Sequence, residues 1–198
     1  MSSKKTNIYL LRHGLPEGDN CLRGITDFAI TELGLEQMEI AVANLQFDAV
    51  ITSPLSRCSY FAKQLAIKQM ADFIENPDLA EMNFGDWDGQ LLSELFDEFN
   101  TNIMRFFESP YQVTPPNGET MTHFNQRVTK VFNRLCKQYL GKQTLLVTHA
   151  GVMREIVQLV LGIPHHLTCH QSLHLDYASL IKISVIEDKD QLYFRLHL

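Results

Sequence analysis

A short apolar run that ends abruptly in charged residues restricts the fold of this chain more than any other feature. Residues Ile8 to Leu11 are all apolar, and Arg12, His13 and Gly14 follow at once. Four consecutive apolar residues are typical of a strand buried on both faces, as in a parallel sheet. Because ligands bind beyond the carboxyl ends of strands in open α/β sheets, the residues that follow indicate either an anion site or an exposed loop with a stray histidine.

The rest of the chain alternates short apolar runs with helical patterns, which predicts an α/β fold. Strands are expected at 6–11, 48–52, 73–75 and 144–148, and helices at 31–45, 54–65, 119–139 and 151–161. The second helix should begin with Ser53 as its N-cap and Pro54 as its first helical residue. Strands at 179–186 and 191–196, joined by a charged turn, should form an antiparallel edge. We therefore expect a three-layer αβα sandwich around a mostly parallel, doubly wound sheet.

The length of 198 residues fits one domain, 1–198, with a short helical excursion at about 90–115. Apolar residues between 91 and 106 recur at helical spacing and predict one or two helices, which either close onto the core or cover a substrate. The net charge of −6 argues against a nucleic-acid partner. No apolar run is long enough to span a bilayer and no signal segment is recognisable, so we expect a cytoplasmic protein without a membrane partner. The oligomeric state stays open.

Cysteines and histidines outside the strand ends give weaker signals. The four cysteines lie in no CxxC motif and are expected to be reduced thiols or core residues: Cys21, Cys58, Cys136 and Cys169. One stretch is rich in potential metal ligands, with some pairs at i, i+4 spacing: His165, His166, Cys169, His170 and His174. Because Pro164 precedes it and no helical pattern supports aligned side chains, we predict no metal site there. Trp87 and Phe84 are read as packing residues, with base stacking as the alternative.

Polar residues follow three predicted strands at the points where the strands end. They are the pair Arg12-His13, the turn from Ser53 to Arg57, and His149. Right-handed crossovers should bring these ends to one edge of the sheet, where two arginines and two histidines would face a small volume. Such a concentration of positive charge is costly without an anion, and the planar fork of arginine suits phosphate.

Histidine in such a pocket indicates covalent chemistry. Neutral imidazole is a nucleophile at physiological pH, and a covalent intermediate divides one difficult displacement into two easier ones. The leaving oxygen then needs a proton from a carboxyl group. Glu81 is the best candidate because it lies in a loop with two glycines rather than in a run of charges, and Asp86 or Asp88 could serve instead.

Four segments of this chain resemble the signature segments of the histidine phosphatase superfamily, in the branch that contains phosphoglycerate mutases. In order, they are Leu11-Arg12-His13-Gly14, Ser53-Pro54-Leu55-Ser56-Arg57, Glu81 to Gly89, and Val147-Thr148-His149-Ala150-Gly151. The resemblance implies a phosphoglycerate mutase-like fold and a metal-independent, cofactor-free phosphatase acting on a small-molecule phosphate ester. It implies that His13 is the phosphorylated nucleophile and Glu81 the proton donor, while Arg12, Arg57 and His149 bind the phosphoryl group.

Within the superfamily, two segments resemble α-ribazole-5'-phosphate phosphatases, which act in cobalamin assembly: Pro116-Asn117-Gly118-Glu119 and Phe124 to Val128. Arg23 could then contact the phosphate or the leaving group, or simply lie in a solvated loop. The chain departs from the family in residues 15–20, where the usual phosphate-contacting asparagine is missing, and Asn20 is the candidate replacement. A phosphoglycerate mutase, a broad-specificity phosphatase and a non-enzymatic phospho-ligand binder remain the alternatives.

Overall fold

Six strands form one sheet in the computed structural model, which describes residues 6–18, 20–96, 101–164, 172–189 and 191–197. They are β1 (Thr6–Arg12), β2 (Ala49–Thr52), β3 (Asp72–Glu75), β4 (Gln143–Thr148), β5 (Leu180–Asp188) and β6 (Gln191–His197). Their order across the sheet is β3-β2-β4-β1-β5-β6. The first four are parallel, and β5 and β6 add an antiparallel edge. The predicted sheet is confirmed.

Helices cover both faces of this sheet. They are α1 (Glu32–Val42), α2 (Ser56–Gln69), α3 (Leu92–Leu95), α4 (Thr101–Glu108), α5 (Met121–Gln138) and α6 (Ala150–Val160). Tyr9 and Leu11 of β1 point to the face that holds α1 and α2, while Ile8 and Leu10 point to the face of α5 and α6. This alternation follows from the two-residue repeat of a strand, and it confirms the three-layer architecture.

The register of the central strands brings their carboxyl ends level. Arg12 of β1 lies opposite Thr148 of β4, and Thr52 of β2 lies opposite Val147 of β4. Beyond the strands, the N–H group of His13 donates to the carbonyl of Thr148 at 2.9 Å. The residues that follow β1, β2 and β4 therefore start from one edge of the sheet.

The start of α2 was predicted wrongly. The helix begins at Ser56 rather than Pro54, and Leu55 is extended. The hydroxyl of Ser53, predicted to cap the helix, lies 2.7 Å from Nε2 of His149. Asp27 caps the helix, because its carboxylate accepts hydrogen bonds from the N–H and hydroxyl groups of Ser56 at 2.8 and 2.9 Å.

The excursion between β3 and α5 contains two helices, α3 and α4, as the apolar spacing predicted. Leu95, Ile103 and Phe106 are buried and join the core on the α5 face. Two other helix ends differ from prediction, since α1 ends at Val42 and α5 begins at Met121. Within the described ranges, no helix combines the length and hydrophobicity that a membrane span requires.

Candidate active site

A cavity of about 320 Å³ opens at the carboxyl edge of the sheet. Its polar lining residues are Arg12, His13, Asn20, Arg23, Glu81, Arg154 and Tyr177. Its apolar lining residues include Leu22, Met82, Phe84, Leu92, Phe106, Phe107, Pro110, Met121 and Phe124. The excursion helices therefore contribute directly to the wall of the cavity as well as to the core.

His13 lies at the floor of the cavity with only 4% of its surface exposed. Its Nδ1 is 2.8 Å from the carbonyl oxygen of Gly14. Because a carbonyl can only accept a hydrogen bond, Nδ1 carries the proton, and the lone pair of the neutral ring is on Nε2. Burial and then the charge of Arg57 lower the pKa of His13 to about 3. The imidazole is therefore neutral and nucleophilic at physiological pH.

His149 is completely buried beside His13, with a distance of 5.3 Å between the two ring centroids. It directly precedes α6, and its Nε2 lies 2.7 Å from the hydroxyl oxygen of Ser53. Burial first, then the charge of Arg57, lowers the pKa of His149 well below its ordinary value. A dianion bound between the arginines would oppose this effect, because it favours the protonated imidazole.

Arg57 is fully buried in the first turn of α2, the place predicted for it. Its Nη1 donates to the carbonyl of Thr26 at 2.9 Å, and its Nη2 donates to that of Gly24 at 2.6 Å. Asp88 fixes this loop, since its carboxylate accepts from the N–H groups of residues 24, 25 and 26 at 3.1, 2.8 and 3.0 Å. Asp88 is therefore a structural residue and does not supply the alternative proton donor.

Arg12, the residue before His13, is held by two contacts from the segment before β5. Its Nη1 donates to the carbonyl of Leu175 at 2.6 Å, and its guanidinium carbon lies 4.1 Å from the centre of the Tyr177 ring. Burial lowers the pKa of Arg12. Its buried Nε finds no hydrogen-bond acceptor among the described residues. A buried donor on a cation beside an open cavity favours binding of an oxyanion.

The carboxyl group of Glu81 lies at the rim of the same cavity and is mostly buried. Oε1 accepts a hydrogen bond from its neighbour Met82 at 3.0 Å, and Oε2 accepts one from the N–H group of Gly151 at 2.9 Å. A methyl group at Gly151 would overlap Oε1, so the glycine allows the carboxyl group of Glu81 to approach this closely. Asp86 is exposed, and both its oxygens accept from the side chain of Asn117.

Arg23 and Asn20 also reach the cavity, although their positions differ in character from the buried arginines. Nη2 of Arg23 donates to the carbonyl of Gly18 at 2.9 Å, and its guanidinium carbon lies 5.2 Å from the Phe28 ring. Asn20 is exposed, and its backbone carbonyl accepts from Leu92 at 2.9 Å. Both residues are therefore placed to contact a bound molecule, and their predicted roles stay predictions.

Sequence reasoning missed two cavity residues, Tyr177 and Arg154. Arg154 lies five residues after His149, one turn along α6, and its Nε donates to the carbonyl of Leu173 at 2.9 Å. Its helical spacing from a strand-end histidine was a usable signal. Tyr177 comes from the segment before β5, and its sequence neighbours carry no pattern that indicates a site.

Other sequence predictions fall partly outside the described residues. In the described ranges, no group of three or more histidine, cysteine, aspartate or glutamate side chains could hold a metal ion. Residues 165–171, which include most of the histidine-rich stretch and Cys169, lie outside those ranges, and His174 is exposed beside Asp176 at 3.0 Å. The three described cysteines are buried thiols. Trp87 is buried against Phe106, with ring centroids 5.8 Å apart, which supports its packing role.

The sheet order and the residues at its carboxyl edge define a phosphoglycerate mutase-like α/β protein. Residues 8–194 match the family model of the histidine phosphatase superfamily, branch 1, and the chain belongs to that superfamily.

Several known proteins are similar along most of this chain. The adenosylcobalamin/alpha-ribazole phosphatase of Escherichia coli K12 is 27% identical over 168 residues, covering 82% of this chain and 83% of that protein. A probable phosphoglycerate mutase, GpmB, from Yersinia pestis is 26% identical and covers 91% and 85%. The structure of a putative alpha-ribazole-5'-P phosphatase from Escherichia coli K-12 superposes with a TM-score of 0.81 at 25% identity, covering 96% and 95%.

Proposed function

We propose that this protein is a metal-independent phosphomonoesterase that works through a phosphohistidine on His13. The observation that carries the proposal is the tautomer of this residue. Because Nδ1 donates to the Gly14 carbonyl, the free electron pair lies on Nε2 beside two arginines. In the proposed first step, Nε2 attacks phosphorus and the bond between phosphorus and the ester oxygen breaks. Arg12 and Arg57 stabilise the charge on the equatorial oxygens.

Protons move through Glu81 in this proposal. Its carboxylic acid gives a proton to the departing ester oxygen, which leaves as an alcohol, and the resulting carboxylate then takes a proton from water. That water attacks the phosphohistidine, so inorganic phosphate is released and Nε2 recovers its electron pair. His149 is proposed to bind the phosphoryl group from the far side of His13, since it is buried and oriented by Ser53.

The apolar wall of the cavity supports a substrate whose leaving group carries a substantial apolar portion. Met82, Phe84 and Phe107 are among the apolar lining residues. An aromatic base attached to a sugar fits this mixed lining, because the sugar phosphate would contact the polar residues and the base the apolar ones. We therefore propose hydrolysis of α-ribazole 5'-phosphate to α-ribazole, in cobalamin nucleotide-loop assembly. The similarity to proteins named as alpha-ribazole phosphatases supports this choice.

A steady-state comparison tests this function. We expect the highest kcat/KM for α-ribazole 5'-phosphate, lower values for a sugar phosphate and 3-phosphoglycerate, and no change on addition of EDTA. Rapid quenching should trap phosphate on the wild-type protein and none on His13→Gln, which should also be inactive. Retained activity in His13→Gln would contradict the mechanism. Phosphoglycerate interconversion with little hydrolysis would instead indicate a mutase, and tight phosphate binding without turnover would indicate a binding protein.

A further inference from the structure

The guanidinium of Arg127, from α5, lies behind the loop that carries Glu81. Its Nε and Nη2 donate to the two carboxylate oxygens of Glu119 at 2.8 and 2.9 Å, which makes a bidentate pair. Burial, the largest single influence, would raise the pKa of Glu119, but the hydrogen bonds and charge of Arg127, with further hydrogen bonds from His123 and Asn83, together lower the pKa. Glu119 therefore remains an anion at neutral pH and holds the guanidinium in one orientation.

The remaining N–H groups of Arg127 bind the backbone of the Glu81 loop. Nη1 donates to the carbonyls of Asp78 and Ala80, both at 2.8 Å, and Nη2 donates to the carbonyl of Glu81 at 3.0 Å. Arginine carries five N–H groups, and these contacts together with the Glu119 pair engage all five. Glu119 also binds the loop two residues after Glu81, because its own N–H group donates to the carbonyl of Asn83 at 2.8 Å.

This arrangement holds the main chain of Glu81, while the carboxyl group of the same residue contacts Gly151. Arg127 itself is not among the described residues that line the cavity. We propose that Arg127, oriented by Glu119, is a positioning residue that sets the Glu81 carboxyl group at the distance required to protonate the leaving oxygen. The inference rests on the proposed function, in which Glu81 is the proton donor. It predicts an effect on proton donation and none on phosphate binding.

Leaving-group dependence distinguishes this role from a general loss of structure. An alkyl phosphate such as glycerol phosphate releases a strongly basic oxygen, which needs the proton, whereas p-nitrophenyl phosphate releases a weakly basic one. In Arg127→Met we expect kcat/KM to fall about 100-fold for the alkyl ester and less than about threefold for the nitrophenyl ester. The kcat/KM of Arg127→Lys on the alkyl ester should lie between the values for Arg127→Met and the wild type, because lysine keeps the charge but cannot bridge Glu119 and the three carbonyls.

The experiment uses Arg134→Met as its control, since Arg134 is exposed on the same helix, and Glu81→Gln as the reference for loss of the acid. Thermal unfolding and inorganic phosphate affinity are measured for every variant. We expect the combined Arg127→Met and Glu81→Gln variant to be no slower on the alkyl ester than Glu81→Gln alone, because an absent acid cannot be misplaced further.

Any of three results would overturn the inference. They are an equal fall in kcat/KM on both esters in Arg127→Met, additive falls in the combined variant, and the same fall in Arg134→Met. Those outcomes differ from failure of the proposed function, in which the wild-type protein would hydrolyse neither ester. If Arg127→Met is too unstable to assay, Arg127→Lys and Glu119→Gln give the same comparison between the two esters at smaller amplitude.

Discussion

The polar residues around His13, which form the polar end of the site, and the apolar residues that line the cavity, which form its apolar end, come from different parts of the molecule. His13 and His149 follow central strands directly, so the strand register fixes their positions. The excursion helices supply several of the apolar lining residues, among them Leu92 and Phe107. The polar end is therefore tied to the central strands, while part of the apolar end comes from helices outside the sheet. We expect substitutions at the polar end to change the proposed chemistry and substitutions at the apolar end to change the proposed selectivity.

The largest effect should come from Arg57, whose charge acts on His13 although it is fully buried and is not among the described residues that line the cavity. We expect Arg57→Met to lower kcat/KM about 10³-fold or more for every phosphate ester, because its fixed charge is proposed to stabilise the transferring phosphoryl group. Exposed Arg195→Met, on β6, provides the control and should leave the kinetics unchanged. A loss restricted to one leaving group would contradict the separation of the two ends.

A second prediction concerns Gly151, whose N–H group donates to the carboxyl group of Glu81. The methyl group of Gly151→Ala would displace Glu81, so kcat/KM for an alkyl phosphate should fall about 100-fold, with little change for p-nitrophenyl phosphate. Alanine is the better helix former and Gly151 lies in the first turn of α6, so the helix itself should not be weakened. Unchanged activity on the alkyl ester would argue against Glu81 as the proton donor.

A smaller effect is expected at the apolar end. Phe107→Ala should lower kcat/KM about tenfold for an ester with an aromatic leaving group and leave that for glycerol phosphate unchanged, because apolar contact area is lost only for the former. Phe96→Ala is a matched control, since Phe96 stacks on Phe107 at 5.6 Å but is partly exposed and does not line the described cavity. Equal losses for both esters would show that Phe107 supports the polar end.

The comparison also explains what the sequence could reveal. The strands and the residues at their ends were predictable because both signals are local: an apolar run and the polar residues directly after it. His13, Arg57 and His149 each lie within a few residues of a strand end, and the parallel order of the strands brings those ends together. Their positions could therefore be expected before the structure, although their proposed roles rest on chemistry and resemblance.

The supporting residues were not predictable in this way. Arg127 binds carbonyls 46 to 49 residues away, and Asp88 binds amides 62 to 64 residues away. Such contacts depend on how loops meet in space, and no spacing along the chain indicates them. The wrong start for α2 has the same cause, because Ser53 bonds to a histidine 96 residues away instead of capping the helix that follows it.

A different kind of effect, on stability at acid pH, tests the buried, positively charged character of the polar end. The pKa of His13 is about 3 in the folded protein and has the ordinary value of 6.5 in the unfolded chain. As pH falls below 6.5, the unfolded chain binds a proton at this site and the folded protein does not. Protonation of His13 in the unfolded chain should therefore lower the free energy of unfolding by up to about 1.4 kcal/mol for each unit by which the pH falls.

The matched variant His13→Gln lacks this group and keeps every other titrating side chain. Urea unfolding of both proteins at several pH values between 6.5 and 3 should show a steeper loss of stability in the wild type. Saturating inorganic phosphate should reduce the difference in slope, because a bound anion offsets the arginine charges that disfavour protonated His13. Parallel stability curves for the two proteins without phosphate would show that His13 is solvated and free to protonate. The polar end would then lack the buried cationic environment that sets it apart from the apolar one.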